Sequence, residues 1–97
     1  MKSISILEYE DAIIPIGGGL YASPEWKIGK DRDIVGLRAL FHKTQSSPSY
    51  MGGAIVAAPR TDSGRVVIIF RADESSVGIE CQGEWGYRAE KRYWEAA

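Results

Sequence analysis

The chain has 97 residues, a length that supports one hydrophobic core and therefore one domain, residues 1–97. Its 12 basic and 13 acidic side chains give a formal net charge of −1 at pH 7, which does not favour binding to nucleic acid or to a membrane surface. Hydrophobic residues make up 44% of the chain, so we expect a core that needs neither a metal nor a disulfide.

The first residues of the chain are not typical of a secretory or organellar leader, because Glu8, Glu10 and Asp11 interrupt the apolar positions. The longest apolar run, residues 66–70, is far shorter than the roughly eighteen residues that a membrane-spanning helix needs. The single cysteine, Cys81, has no partner for an intramolecular disulfide, which is typical of a reducing compartment. We therefore expect a cytoplasmic protein with no membrane association.

The N-terminal quarter of the chain contains strand and turn signals. Residues 3–9 alternate with the period of a strand, and residues 11–16 form a second β-branched run that ends near Pro15 and three consecutive glycines. Ser23 is a suitable N-cap and Pro24 suits the first helical position, so a short helix is expected to begin there.

The segment of residues 31–43 allows two interpretations, a helix or a strand, because its apolar residues fit both periods. Gly36 lowers helix stability by about 1 kcal/mol relative to alanine and favours the strand slightly. Residues 45–53 have the composition of a loop. One short helix is still expected between residues 24 and 41.

A β-hairpin is predicted over residues 54–71, where two β-rich runs flank the turn residues Asp62, Ser63 and Gly64. The second run is apolar on both sides, which predicts a central strand covered on both faces by a helix or a second protomer. Residues 77–83 alternate and predict another strand.

The C-terminal residues 85–95 permit a strand or a helix, and we favour the strand. Together these elements predict an α+β fold: a mostly antiparallel sheet, or a partly open barrel, built around the central hairpin and carrying one or two short helices.

Candidates for catalysis are few. His42 is the only histidine, and its pKa range suits acid–base chemistry, but no second histidine or neighbouring cysteine completes a metal site. Glu80 and Glu90 would join it if facing strands brought them into one pocket. We predict no metal and no cofactor, and these three residues are the only weak catalytic candidates.

The aromatic residues are the strongest functional signal, with three tryptophans in 97 residues and several aromatics close to basic side chains. Such faces can stack on a base, a sugar or a cationic ligand; alternatively they cover the rim of a small core or a dimer interface. Paired glycines next to them let the backbone approach a neighbour or a ligand closely. The predicted ligand-binding residues are Trp26, Tyr50, Gly52, Gly53, Trp85, Tyr87 and Arg88.

Three segments, PSYMGGAIVAA (48–58), GRVVIIFRAD (64–73) and GEWGYRAEK (83–91), resemble short uncharacterised bacterial proteins of the kind carried on mobile gene cassettes. This resemblance covers about half of the chain and assigns no activity. It implies a homo-oligomer with a small-molecule pocket.

A second resemblance is carried by VGLRALFHKTQSSPSYMGGAIVAA (35–58), which is similar to a strand-loop-strand unit of PUA-like and EVE-like barrels. Those domains bind nucleic acid or modified bases in an aromatic-lined pocket. The resemblance implies that Trp26, Tyr50 and Trp85 are wall residues of such a pocket.

The sequence therefore predicts a non-enzymatic binding module that holds a small ligand or a protein partner in a pocket near Tyr50, Gly52 and Trp85. Self-association is expected, with a dimer favoured over larger assemblies. Rigid aromatic side chains serve a ligand site and a protein interface equally well, so both partners stay open at this point.

Two alternatives belong to other functional classes. A nucleic-acid or modified-base binder would use Arg88, Lys91 and Arg92 on phosphate, and its affinity would fall steeply with salt. A small hydrolase would use His42 with Glu80 or Glu90.

Overall fold

A computed structural model describes residues 2–81, 85 and 89–95 of the chain. These residues form seven strands and two 3₁₀ turns, and no α-helix occurs among them. The strands are β1 (Lys2–Leu7), β2 (Ile14–Gly17), β3 (Leu20–Trp26), β4 (Arg38–His42), β5 (Ser49–Ala57), β6 (Val66–Ala72) and β7 (Lys91–Glu95). The 3₁₀ turns are Glu10–Ala12 and Glu74–Ser76.

All seven strands belong to one sheet in the order β2-β3-β6-β5-β4-β1-β7. β1 and β4 run parallel, with Leu7 opposite His42, and every other neighbouring pair is antiparallel. A parallel pair needs a long connection, and here residues 8–37, which include β2 and β3, supply it. Since β2 and β7 are the two ends of this order, the mixed sheet is open rather than closed into a barrel.

The predicted α+β class is wrong, because the part of the chain that the structure describes is mostly β and its only helical residues are the two 3₁₀ turns. Ser23 and Pro24, expected to begin a helix, lie inside β3, where Ser23 pairs with Ile68. The N-cap signal is local and contributes about 1 kcal/mol, which is less than a strand gains by pairing with β6 and burying side chains.

The strand interpretation of residues 31–43 is confirmed for β4, and the helix interpretation is wrong. Asp33 accepts a hydrogen bond from the Val35 N–H at 3.1 Å, so it caps a turn rather than a helix. Gly36 has a φ of +95°, a conformation that glycine adopts without strain and that interrupts any helix at this point.

The hairpin of residues 54–71 is confirmed, since β5 and β6 are antiparallel with Ile55 opposite Phe70. The loop predicted over residues 45–53 is wrong from Ser49 onward, because β5 already begins there. The strand predicted over residues 77–83 is wrong for its described part: Gly78 has a φ of +81°, and residues 77–81 bend beside the start of β5. The strand favoured for residues 85–95 is confirmed only from Lys91 onward, where β7 begins, because residues 85, 89 and 90 are not in a strand.

The hydrophobic core lies on one face of the sheet. Phe41 of β4 contacts Phe70 of β6, with 4.8 Å between ring centroids, and Ile4 of β1 belongs to the same cluster. The remaining buried core residues are Ile6, Ile13, Trp26, Ile28, Ile34, Ala39, Ile55, Val66 and Ile68. The opposite face of β1 and β4 buries Ser5 and His42, so both faces are covered at this position.

β6 occupies an interior position between β3 and β5, as its apolar sequence predicts. Its second face, however, is not covered by a helix among the described residues: Ile69 is half-buried and Arg71 is exposed. Nor is any described helical segment long and apolar enough to cross a bilayer.

Candidate functional site

A cleft of about 320 Å³ opens beside the C-terminal ends of β1 and β4, and we call it the Trp26 cleft. Because these two strands are parallel, the residues that follow them, Glu8 and Lys43, emerge at the same edge. The Glu8 N–H donates to the His42 carbonyl at 3.2 Å and continues the pairing by one step. The lining residues are Leu7, Glu8, Tyr9, Trp26, Lys43 and Glu90.

The Trp26 ring is held in a fixed position at the end of β3. Its indole N–H donates to the Ser23 hydroxyl at 2.9 Å, and that hydroxyl donates to a carboxylate oxygen of Glu8 at 3.4 Å. The side chain is only 8% exposed, so most of the ring belongs to the core and a limited area faces the cleft. This hydrogen-bonded chain orients both an aromatic wall and an acidic group.

Tyr50 of β5 contacts Glu8, one of the residues that line the Trp26 cleft. Its hydroxyl donates to the Glu8 carbonyl at 2.7 Å, and its ring packs on the core. Burial raises the pKa of Tyr50, and the nearby negative charges of Glu8, Glu10 and Asp11 raise it further.

Two lysine ammonium groups lie over the aromatic rings at this edge. The Lys43 Nζ is 5.8 Å from the Tyr50 ring centroid and 3.8 Å from a carboxylate oxygen of Glu10. The Lys91 Nζ is 6.0 Å from the Trp26 ring centroid. These distances are at the outer limit of a cation–π contact, so the attraction between each ammonium group and its ring is weak.

A second, smaller cavity of about 210 Å³ contains two of the predicted ligand-binding residues, Tyr50 and Gly52. Its other lining residues are Met51, Ala72, Asp73, Glu74 and Val77. Tyr50 thus lies between this cavity and the Trp26 cleft.

Gly52 and Gly53 are explained by the close approach of neighbouring backbone. A Cβ atom on Gly52 would overlap the carbonyl oxygen of Ala39, and one on Gly53 would overlap the carbonyl of Arg71. These glycines were expected to let the backbone approach either a neighbouring segment or a ligand, and the structure shows the approach to neighbouring strands.

Trp85 lines neither the Trp26 cleft nor the smaller cavity beside Tyr50. It is 9% exposed and lies edge-on to the His42 ring, with 5.4 Å between ring centroids. His42 bonds to Ser5, whose side chain points away from the core because neighbouring residues of a strand face opposite sides. Trp85 therefore lies on the face of the sheet opposite the core, whereas Tyr50 lies on the core face. The predicted residues Tyr87 and Arg88 lie outside the described residues.

His42 is fully buried, and both of its ring nitrogens are used within the fold. Nδ1 lies 2.9 Å from the Ser47 carbonyl oxygen and must carry the hydrogen, because a carbonyl only accepts. Nε2 then accepts from the Ser5 hydroxyl at 2.9 Å in the neutral ring. Desolvation by burial lowers the pKa of His42, which favours this neutral form.

The other two catalytic candidates, Glu80 and Glu90, are exposed, and the His42 ring nitrogens bond to Ser5 and Ser47 instead. Of these two glutamates, Glu90 lines the Trp26 cleft and Glu80 does not. Within the described residues, no group of three or more histidine, cysteine, aspartate or glutamate side chains is arranged to hold a metal.

Sequence reasoning missed Glu8, Tyr9 and Lys43 as site residues. No local signal marks them, because they meet only through the pairing of β1 with β4 across more than thirty residues of chain. Lys91, by contrast, was noticed for its basic charge beside aromatic residues.

In comparisons with known proteins, no family model matches the chain, and no curated protein or solved structure matches it either. The resemblances to gene-cassette proteins and to PUA-like or EVE-like barrels therefore stay predictions.

Proposed function

We propose that the protein is a binding module that holds a small ligand in the Trp26 cleft, and that this ligand carries an amine next to a flat apolar part. The observation that carries the proposal is the position of two lysine ammonium groups over the aromatic rings of Trp26 and Tyr50. A ligand ammonium would make the same contact at closer range.

The size of the cleft supports a small ligand. Its volume of about 320 Å³ lies at the lower end of the range of small-molecule sites, roughly 300–1,000 Å³. The Trp26 ring is fixed through Ser23, so this wall of the cleft would lose little conformational entropy on binding.

The charges around the cleft support a cationic ligand. Glu8 and Glu90 line it, and Glu10 lies 3.8 Å from Lys43, so three carboxylates face the two ammonium groups of Lys43 and Lys91. Burial is the main reason for the raised pKa of Tyr50, and the negative charges of Glu8, Glu10 and Asp11 contribute to it as well. A nucleic-acid phosphate would be repelled by these carboxylates, so this cleft does not favour the nucleic-acid alternative.

The test is a calorimetric titration of the full chain with three probes of one skeleton: phenethylamine, phenethyl alcohol and hydrocinnamate. We expect the amine to bind at least about fivefold more tightly than the alcohol, because only the amine adds a cation–π contact and an ion pair. We expect the carboxylate to bind most weakly. Equal affinities, or preference for the carboxylate, would contradict the proposal.

Two matched variants place the binding site. Glu90→Gln removes one negative charge from the lining of the cleft, and Glu80→Gln removes the same charge from an exposed residue outside it. We expect the first variant to weaken phenethylamine binding and the second to leave it unchanged. Equal effects of the two substitutions would mean that only the net charge of the protein matters.

A further inference from the structure

A groove of about 270 Å³ lies at the opposite end of β1 from the Trp26 cleft. β1 is six residues long, which separates the two ends by about 17 Å at the usual rise of a strand. Lys2, Arg32, Tyr93, Trp94 and Glu95 are among its lining residues, and we call it the Trp94 groove. We propose that this groove binds a nucleoside monophosphate, with the phosphate on Lys2 and Arg32 and the base against Trp94.

Arg32 is positioned for a phosphate by its contact with Tyr93. The guanidinium carbon lies 3.8 Å from the Tyr93 ring centroid, so the planar group stacks on the ring. A stacked guanidinium keeps its N–H groups in one plane with their edges available, which matches the geometry of phosphate oxygens.

Trp94 supplies a fixed aromatic wall on the side of β7 opposite to Tyr93, because neighbouring residues of a strand face opposite sides; the groove that both residues line therefore runs around the end of the sheet. The Trp94 indole N–H donates to the Ser5 hydroxyl at 2.8 Å, and Ser5 is itself fully buried and bonded to His42. The Trp94 side chain is half-buried, so part of the ring remains accessible while the N–H edge is anchored. Any of the nucleic-acid bases can stack on such a ring.

The charge of the Trp94 groove is opposite to that of the Trp26 cleft. Its lining includes two cations, Lys2 and Arg32, and one carboxylate, Glu95. Arg38 adds a third positive charge nearby, because its Nε–H donates to the hydroxyl of the lining residue Ser3 at 3.4 Å. An aromatic wall next to an excess of cations suits a ligand that combines a planar base with a phosphate.

The test uses the intact chain and calorimetric titration with adenosine monophosphate, adenosine, ribose phosphate and inorganic phosphate. We expect the monophosphate to bind at least about tenfold more tightly than each fragment, because only the whole nucleotide reaches both the cations and Trp94. The indole N–H resonance of Trp94 is expected to shift on binding. Adenosine binding as tightly as its monophosphate would overturn the proposal.

Three charge-neutralising variants locate the site. Arg32→Gln and Lys2→Gln change exposed side chains of the groove, and Lys43→Gln removes the same charge from the Trp26 cleft. Arg32→Gln and Lys2→Gln should each weaken nucleotide binding, the first by about tenfold or more, with Lys43→Gln as the unaffected control. Equal weakening by all three would overturn the proposal. Amide NMR spectra verify that each variant is folded.

A nucleotide reaches the groove either free or as part of a single strand, and a further arm separates these sources. Thymidine monophosphate is compared with a short oligothymidylate at low and moderate salt. Tighter binding of the oligonucleotide would mean that the groove binds single-stranded nucleic acid. Tighter binding of the monophosphate would mean that it binds the free nucleotide. If neither binds, the proposal fails, while the amine site in the Trp26 cleft is unaffected by that result.

Discussion

Trp94 and His42 share the hydroxyl group of Ser5: the indole N–H donates to it at 2.8 Å, and the hydroxyl donates to Nε2 of the imidazole at 2.9 Å. The chain of hydrogen bonds continues from His42 Nδ1 to the Ser47 carbonyl. It joins β7, β1 and β4 and gives every donor one acceptor. This arrangement exists only while His42 is neutral, because a protonated ring cannot accept.

The first prediction concerns pH. The pKa of His42 is lowered in the folded protein below the value of about 6.5 that an unfolded chain has. Above that pH, His42 contributes no penalty to stability. As the pH falls below about 6.5, the unfolded state binds the proton first, so the free energy of unfolding decreases until the folded pKa is reached.

Urea unfolding between about pH 7.5 and pH 5 measures this effect, and His42→Asn is the control because it removes the only histidine. We expect the free energy of unfolding of the natural sequence to fall more steeply with decreasing pH than that of the variant. Parallel slopes would show that His42 titrates normally.

The second prediction concerns the shared hydroxyl. Ser5→Ala leaves the Trp94 N–H and the His42 Nε2 without their partner in a buried location. We expect a loss of about 1–3 kcal/mol in the free energy of unfolding. Ser46→Ala, at an exposed serine, is the matched control and should change stability by less than about 0.5 kcal/mol. A Ser5 variant as stable as this control would contradict the hydrogen-bond assignment.

The third prediction concerns Gly53. Its missing side chain allows the β5 backbone to approach the Arg71 carbonyl, with which a Cβ atom would overlap. We expect Gly53→Ala to cost about 1–3 kcal/mol or to prevent folding. Gly29→Ala should change stability by less than about 0.5 kcal/mol, since Gly29 has open space around it and no positive φ. Thermal unfolding of both variants makes the comparison.

The fourth prediction concerns self-association, which the sequence suggested and which stays a prediction. The strand registers align Ile14, Ala22, Ile69 and Ala57 in a row across four strands, on the face away from the core. Ile14 is 50% exposed. We expect sedimentation velocity to detect a dimer, and Ile14→Lys to weaken it.

Val77→Lys is the control for that experiment, because Val77 has a similar exposure of 52% but lies outside this row. It should leave the sedimentation coefficient unchanged. A monomer in the natural sequence would refute the expected dimer, and equal dissociation by both lysines would show that the dimer uses another surface.

Local pattern in the sequence was sufficient to predict several elements of the fold. The hairpin of β5 and β6 followed from two β-branched runs and the turn residues between them, and β1 followed from its alternation. Trp26 and Tyr50 were recognised as candidate ligand contacts from residue type alone. These features depend on neighbours in the chain, where period and turn chemistry act directly.

Tertiary structure decided the rest, because long-range pairing determines which side chains meet. The parallel pairing of β1 with β4 brings Glu8 to Lys43, and the pairing of β3 with β6 places Ser23 in a strand despite its capping signal. The sequence alone determined local elements such as β1 and the β5–β6 hairpin. Only the alternation of side chains across an assembled sheet placed Trp85 and Tyr50 on different faces. The pairing of β1 with β4 and β7 brought opposite charges to the two ends of β1.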